Sequence, residues 1–558
     1  MGSLELNRRW VLAGGLWVAA SPALGQSAEP VVETTAGRVR GAARNGALIF
    51  KGVPYGESTA GANRFMPPKP KAGWSGVREA LAYGPTAPQG GSAPSRPPPP
   101  AGAPARHPSP IAGGGTPPAQ SEDCLVLNVW TPSTTGKRAV LFWMHGGGFA
   151  TGSGSSAWYD GTNIARKQDV VIVTINHRLN VLGYADLSAY GPQYAASGNV
   201  GMLDCVLALK WVRDNIERFG GDPNRVLIHG ESGGGRKTSM MMAFEPAKGL
   251  FHRAVVQSGS ALRMDGQALA REKARRLLAE LSIAPGDIRK IHEVPLEDLQ
   301  RAGAKASAGL GQWRPVVDGK LLPRHPFEPD APGMSRNIPM MIGTNRTEQS
   351  AFLGGDPAMD ALDDAGLTRE LGNWVPREHA GRVLATYRRL YPKSSRAEIL
   401  YMAATDRSYF LDSTIQAERK AAQGGAPAYY YAFYRHTPVQ NGRYFTPHAE
   451  EIPFVFDSLA NAPLMVGPVT PQAQKLADEM SAAWANFAKT GKPSAPGLPA
   501  WPVYNARTRP AMVFDEPRSR IENDPRGEQR RLMLSFGSQQ DRQSELPRPG
   551  ERGGDTPA

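Results

Sequence analysis

Val226-Leu227-Ile228-His229-Gly230-Glu231-Ser232-Gly233-Gly234 decides the fold. A short β-branched run passes directly into Gly-x-Ser-x-Gly, the order strand, tight turn, helix. Glycines at 230 and 234 remove side chains that would collide in such a turn. The serine hydroxyl is then presented at the carboxyl end of a sheet, where open α/β sheets bind ligands. Outward from this point, the runs Ala139–Met144, Val170–Ile175, Ile338–Ile342 and Tyr429–Tyr434 read as further strands buried on both faces. Cys205, Ala208, Leu209, Val212, Ile216 and Phe219 recur at offsets of three and four, an apolar helical face that Gly220 and Gly221 end. Strands alternating with helices predict an α/β protein with a mostly parallel sheet flanked by helices.

A second glycine cluster, His145-Gly146-Gly147-Gly148-Phe149, follows another predicted strand. Acyl transfer needs donors for a developing oxyanion, and glycine N–H groups can approach a substrate with no Cβ in the way. The N–H groups of Gly147, Gly148 and Gly233 are the expected oxyanion hole. His145 is expected to shape the loop, and His229 to pack in the strand before the serine.

Several further stretches resemble the type-B carboxylesterase/lipase family, the cholinesterase-like branch of the α/β-hydrolases with its para-nitrobenzyl-esterase-like bacterial members. Phe50-Lys51-Gly52-Val53-Pro54-Tyr55, Ser121-Glu122-Asp123-Cys124-Leu125-Val126-Leu127-Asn128-Val129-Trp130, Asn176-His177-Arg178-Leu179 and Phe219-Gly220-Gly221-Asp222-Pro223 carry the likeness. Gln257-Ser258-Gly259 and Trp501-Pro502 continue it, over about residues 30 to 515. The resemblance implies an α/β-hydrolase fold in a single large domain, and a serine carboxylesterase working through a Ser-His-Glu triad and an acyl-enzyme. It supplies the two partners of Ser232. Glu348 stands in Gly343-Thr344-Asn345-Arg346-Thr347-Glu348-Gln349, where Thr347 and Gln349 depart from the family pattern. His448 stands in His448-Ala449-Glu450-Glu451-Ile452-Pro453-Phe454-Val455-Phe456, where Ala449 replaces a glycine. Ser258 resembles a supporting serine near the histidine. Gly233 occupies a position that is usually Ala in the family.

With these roles, Ser232 is the expected nucleophile, His448 the base, with an apparent pKa of roughly 6 to 7, and Glu348 the acid that orients it. The same site could serve amides or carbamates, and a catalytically dead binding protein is the remaining alternative; such relatives lose a triad residue, and this chain keeps all three. Family members that prefer choline esters stack the cation on a tryptophan ahead of the Ser-Glu-Asp-Cys segment. Here Thr86 to Asp123 contains no Phe, Tyr or Trp, so no preference for choline esters is expected. Trp158 and Trp313 are the aromatic residues that could substitute.

The 558 residues carry a formal net charge of +13, with 41% apolar and 21% charged residues. The basic balance comes without a nucleic-acid module, so a small-molecule ester is the expected partner and nucleic acid is not. Two cysteines, Cys124 and Cys205, and no CxxC or HExxH leave no expected metal or cofactor. The usual upstream partner of Cys124 is missing, so both thiols are expected to be free. Arg8-Arg9, the uncharged run Trp10–Leu24 and Ala23-Leu24-Gly25 read as an export signal over residues 1–25, twin-arginine in style, with a periplasmic or secreted destination. No stretch reads as a stable membrane span. The catalytic domain is expected over 26–537. Within it, the Pro/Gly-rich insertion 90–120 is expected to be a mobile or polyproline-like loop, removable without loss of fold. A disordered tail is expected over 538–558.

Overall fold

Alternation along single strands explains the layering. In Arg138–Met144, Val140, Phe142 and Met144 enter one buried cluster while Ala139, Leu141 and Trp143 enter another. Val171, Val173 and Ile175 likewise oppose Ile172. Successive side chains point to opposite faces of a strand, so these apolar runs need cover on both sides, and helices supply it. The computed structural model describes residues 29–90, 105–112, 114–115 and 118–546.

The main sheet has eleven strands. In chain order they are β1 (Ala42–Arg44), β2 (Ala47–Pro54), β3 (Val126–Thr131), β4 (Arg138–Met144), β5 (Val171–Ile175), β6 (Gly221–Glu231), β7 (Arg253–Gln257), β8 (Met340–Asn345), β9 (Ala428–Phe433), β10 (Pro510–Phe514) and β11 (Arg520–Asn523). Their spatial order is β11-β10-β9-β8-β7-β6-β4-β5-β3-β2-β1. From β5 to β10 neighbouring strands are parallel, and antiparallel pairs finish both edges. The expected α/β-hydrolase sheet is therefore present. Helix α1 (Val200–Asn215) carries the anticipated apolar face, and Gly220, in the left-handed region at φ 72°, closes the short 3-10 turn after it. A third apolar cluster, from Leu353 to Leu411 with Leu532 and Met533, packs helices over the carboxyl end of β8. Cys124 and Cys205 are both free and buried. No helix among the described residues is long and apolar enough to cross a membrane.

Two segments make contacts that composition does not announce. The described second half of the 90–120 insertion contacts the domain at several points. His107 N–H donates to Gly355 O at 2.9 Å, and Pro108 O accepts from Tyr444 Oη at 2.7 Å and Gln440 Nε2 at 2.9 Å. Pro110 is buried and Ile111 packs on the cluster beneath. Composition hid this because Ile111 is a single apolar residue in a polar stretch, yet it suffices as an anchor. The segment after Gly537 is docked as far as Glu545, whose Oε1 accepts from Arg263 Nη2 at 2.8 Å. Gln540 Oε1 accepts the N–H groups of Leu262 and Arg263 at 2.9 and 3.1 Å, and Ser544 O accepts from Gly266 N–H at 2.8 Å. Polar residues here serve as hydrogen-bond partners for a loop backbone, which a hydropathy reading cannot see. The export-signal expectation for 1–25, and the remainder of the insertion and tail, lie outside the described residues.

Excision of residues 105–112, closed by a short Gly/Ser linker, should lower stability. Burial of one such apolar side chain contributes about 1.5–3 kcal/mol, and the Tyr444 and Gln440 contacts go with it. A thermal midpoint equal to that of the parent would show that the docking contributes nothing.

Candidate active site

The elbow is built by crossing backbones. Ser232 sits at φ 57°, ψ −119° between β6 and helix α2 (Gly233–Met241). The end of β4 runs so close that a Cβ at Gly230 would lie 2.4 Å from Met144 O, and one at Gly234 only 1.9 Å from the same oxygen. Only glycine can occupy either place, which is the physical content of the motif.

Glu348 and His448 are brought together by two interleaved loops. Glu348 Oε2 lies 2.6 Å from His448 Nδ1, while its Oε1 accepts from Asn345 N–H at 2.7 Å and Ser258 Oγ at 2.6 Å. The buried carboxylate thus has a donor on every side, as a buried charge requires. Ser258 supports the acid rather than the histidine directly. Thr347 and Gln349, the two departures from the family pattern, have structural work. Thr347 Oγ1 donates to Thr446 O and accepts from Thr446 N–H, and Gln349 bonds Thr405 and Ser408. Asn345 Nδ2 spans to Pro447 O at 2.7 Å and Glu451 Oε2 at 2.8 Å. Ala449, at φ 68°, accepts a left-handed conformation in which glycine is easier.

His448 Nε2 lies 3.0 Å from Glu231 Oε1, and among the described residues it makes no hydrogen bond to Ser232. Serine–base bonds are often absent before substrate arrives. Burial opposes the imidazolium, but the carboxylates of Glu231, Glu348 and Glu451 outweigh it and raise His448 to about 9. Burial raises the Glu231 carboxyl well above its usual range, against the pull of His448. The shift of His448 runs above the expected 6 to 7, in the direction that neighbouring carboxylates impose on an imidazole. The imidazole is wedged between the rings of Tyr409 and Phe352, at 5.1 and 5.2 Å. Tyr409 comes from a π-helical turn, Asp406–Phe410, between Arg396–Thr405 and Leu411–Ala422.

The glycine loop is held from below by Lys237. Its ammonium is fully buried and donates to His145 O at 3.0 Å and Gly148 O at 2.9 Å. Burial pushes Lys237 down to about 7. His145 stacks on His177 at 4.8 Å, and burial beside Lys237 takes it down to about 3, so it is neutral and structural, as expected. His229 is packed on Trp143 and Phe456, also as expected. Drawn toward Lys237, the Gly148 carbonyl lies over Gly233: a Cβ there would stand 2.1 Å from Gly148 O. This accounts for glycine where alanine is usual. The sequence reading missed Glu231, Tyr409, Phe352 and Lys237. Each of them acts on a segment distant in the chain, so no local signal marked it.

Gly233→Ala should therefore cost about 1–3 kcal/mol by overpacking. Lys237→Met releases the Gly148 carbonyl, so the double variant should lose less stability than the two single losses added together. Urea denaturation of the four proteins measures the coupling; strict additivity would show that lysine and glycine are unrelated.

Comparison with known proteins gives the family. The model of the carboxylesterase family matches residues 28–533. The chain is 35% identical over 518 residues to the para-nitrobenzyl esterase of Bacillus subtilis, covering 90% of this chain and 98% of that one. It is 31% identical to the phenmedipham hydrolase of Pseudarthrobacter oxydans, over 89% and 97% of the two chains. Among solved structures, a Geobacillus stearothermophilus carboxylesterase superposes with a TM-score of 0.76 at 38% identity, covering 90% of this chain and 99% of that one. This chain belongs to the carboxylesterase family, the carboxylic ester hydrolases built on the α/β-hydrolase fold.

Proposed function

We propose that ester hydrolysis runs through Ser232 as nucleophile, His448 as base and Glu348 as its orienting acid. The N–H groups of Gly147, Gly148 and Gly233 face the oxyanion in this reading. The single observation that carries it is the 2.6 Å contact from Glu348 Oε2 to His448 Nδ1, set beside a strained serine elbow. Ser232 Oγ attacks the ester carbonyl carbon and its proton passes to His448 Nε2. The carbon–oxygen bond to the alcohol breaks, and the alcohol leaves with that proton. Water then attacks the acyl-enzyme, gives a proton to His448, and Ser232 leaves as the restored hydroxyl. Nε2 must exchange Glu231 for Ser232 to take part, a short swing because the two residues are adjacent. Glu348 keeps the imidazole ring in place throughout.

We further propose that the protein is exported, on the order Arg8-Arg9, apolar run, small residues in the sequence. For specificity we keep the expectation of no choline preference. Trp158 and Trp313 are both buried, and the Trp313 indole N–H is occupied by Gly303 O at 2.9 Å, which supports that reading.

Ser232→Ala should remove essentially all turnover of a 4-nitrophenyl ester. A fluorophosphonate probe should place one adduct on Ser232 of the parent; an adduct on another serine overturns the assignment.

The pH profile of kcat/KM tests the base. Neutral imidazole is the active form. A pKa raised above 6.5 therefore means activity is present at higher pH and lost as pH falls through that raised value. The acid limb should lie above 6.5, and Glu231→Gln should move it toward acid by removing a carboxylate that favours the imidazolium. A parent limb at or below 6.5 would show that the lift is absent in solution.

A further inference from the structure

From Val226 to Phe244 every residue is buried except two, Ser232 and Arg236. They are four apart, and Arg236 N–H donates to Ser232 O at 3.0 Å in the first turn of α2. Arg236 thus lies one turn into the helix that the serine begins, and these two residues alone keep partial exposure in the buried stretch. The ring that flanks His448 is electrostatically coupled to the same arginine, since Tyr409 is its foremost ionisable neighbour. Arg236 therefore borders the space in front of the serine.

Its charge is unanswered. Among the described residues Arg236 makes no side-chain hydrogen bond or ion pair, and burial lowers its pKa. The ionisable groups that face it are Tyr409, Arg314, Asp412 and Lys237. Two of these are cations. Asp412, the acid among them, is engaged elsewhere: Ser538 Oγ donates to it at 2.7 Å and Gln540 Nε2 at 2.8 Å. Arg314 is taken by Asp265 and by Gln543 O. Other arginines in this chain find carboxylates, on the surface as Arg275 with Glu272 and in the interior as Arg435 with Glu450. A guanidinium that burial desolvates and no carboxylate answers has hydrogen-bond donors to offer an anion arriving from solvent.

The geometry points to Arg236 as a specificity determinant that binds a carboxylate carried by the ester substrate, so that half-esters of dicarboxylic acids, or esters of hydroxy acids, are the substrate class of this site. The inference rests on Ser232 being the nucleophile. It also gives the absence of choline preference a positive cause, since an unpaired cation beside the serine repels another.

Two pairs of esters locate the charge. Mono-4-nitrophenyl adipate against 4-nitrophenyl 6-methylheptanoate places it on the acyl side, and 4-acetoxybenzoate against methyl 4-acetoxybenzoate places it on the leaving side. Taking kcat/KM ratios, anionic over neutral, for parent, Arg236→Met and Arg236→Lys cancels intrinsic reactivity. On one pair the ratio should fall at least tenfold in Arg236→Met, chiefly through KM, and Arg236→Lys should retain part of it. Equal ratios in parent and Arg236→Met on both pairs overturn the proposal. Should the Met variant not fold, adipate as a competitive inhibitor of the parent on a neutral ester decides. It should bind at least tenfold tighter than hexane-1,6-diol, with the advantage shrinking in high salt; equal inhibition overturns the proposal. A fluorophosphonate adduct away from Ser232 would sink the nucleophile reading independently of these ratios.

Discussion

One buried carboxylate organises the site. Glu348 has no exposed surface, and an ion there is tolerable only when donors surround it. Those donors come from three places: Asn345 at the end of β8, Ser258 just past β7, and His448 in a loop a hundred residues further on. Satisfying Glu348 therefore fixes the ends of two neighbouring strands and the His448 loop relative to each other. Thr347 with Thr446, and Asn345 with Pro447, repeat the same cross-connection in uncharged form. Removing any one donor leaves a buried charge short of a partner, so the cost falls on fold and site together.

How much of this was legible in the sequence depended on whether a residue's reason was local. The elbow and the glycine loop could be read because their constraint is steric and contiguous: a strand, a turn too tight for Cβ, a helix. The sheet could be read because alternation along Arg138–Met144 and Val171–Ile175 is a property of neighbouring residues. Glu348 and His448 came only through resemblance, since nothing within either segment announces the other. Lys237, Tyr409 and Phe352 were not read at all. Each acts across a contact with a distant segment: Lys237 with a loop some ninety residues earlier, Tyr409 and Phe352 with the ring of His448. The contacts of the insertion and the tail went unread for the same reason, since they run through single residues such as Ile111 and Gln540.

The lysine under the glycine loop shows how a polar core contact can alter a motif. A buried ammonium has no stable alternative to hydrogen-bonding, and here its acceptors are the carbonyls of the loop that precedes Phe149. Satisfying the lysine aims the Gly148 carbonyl at helix α2, and that leaves no room for a methyl group at 233. The order of cause runs from Lys237 to Gly148 to Gly233. A glycine that looks like a loosened version of the motif is thus a consequence of a tighter one.

Strain is distributed by the same logic. Ser232 at φ 57°, Ser258 at φ 47° and Ala449 at φ 68° are all non-glycine residues in the left-handed half of conformational space. Each such residue costs on the order of 1–3 kcal/mol and persists only where its surroundings over-determine it. Ser232 and Ser258 follow β6 and β7, which pair with each other and with a parallel strand on their outer sides. Ser232 N–H is taken by Gln257 O, and Ser258 N–H by Gly343 O, so the ladder continues one residue past each strand into the strained position. The sheet thus holds both serines by the same hydrogen bonds that hold its own strands. Relaxing either would break a rung at the centre of the protein, where cover on both faces keeps water from replacing it.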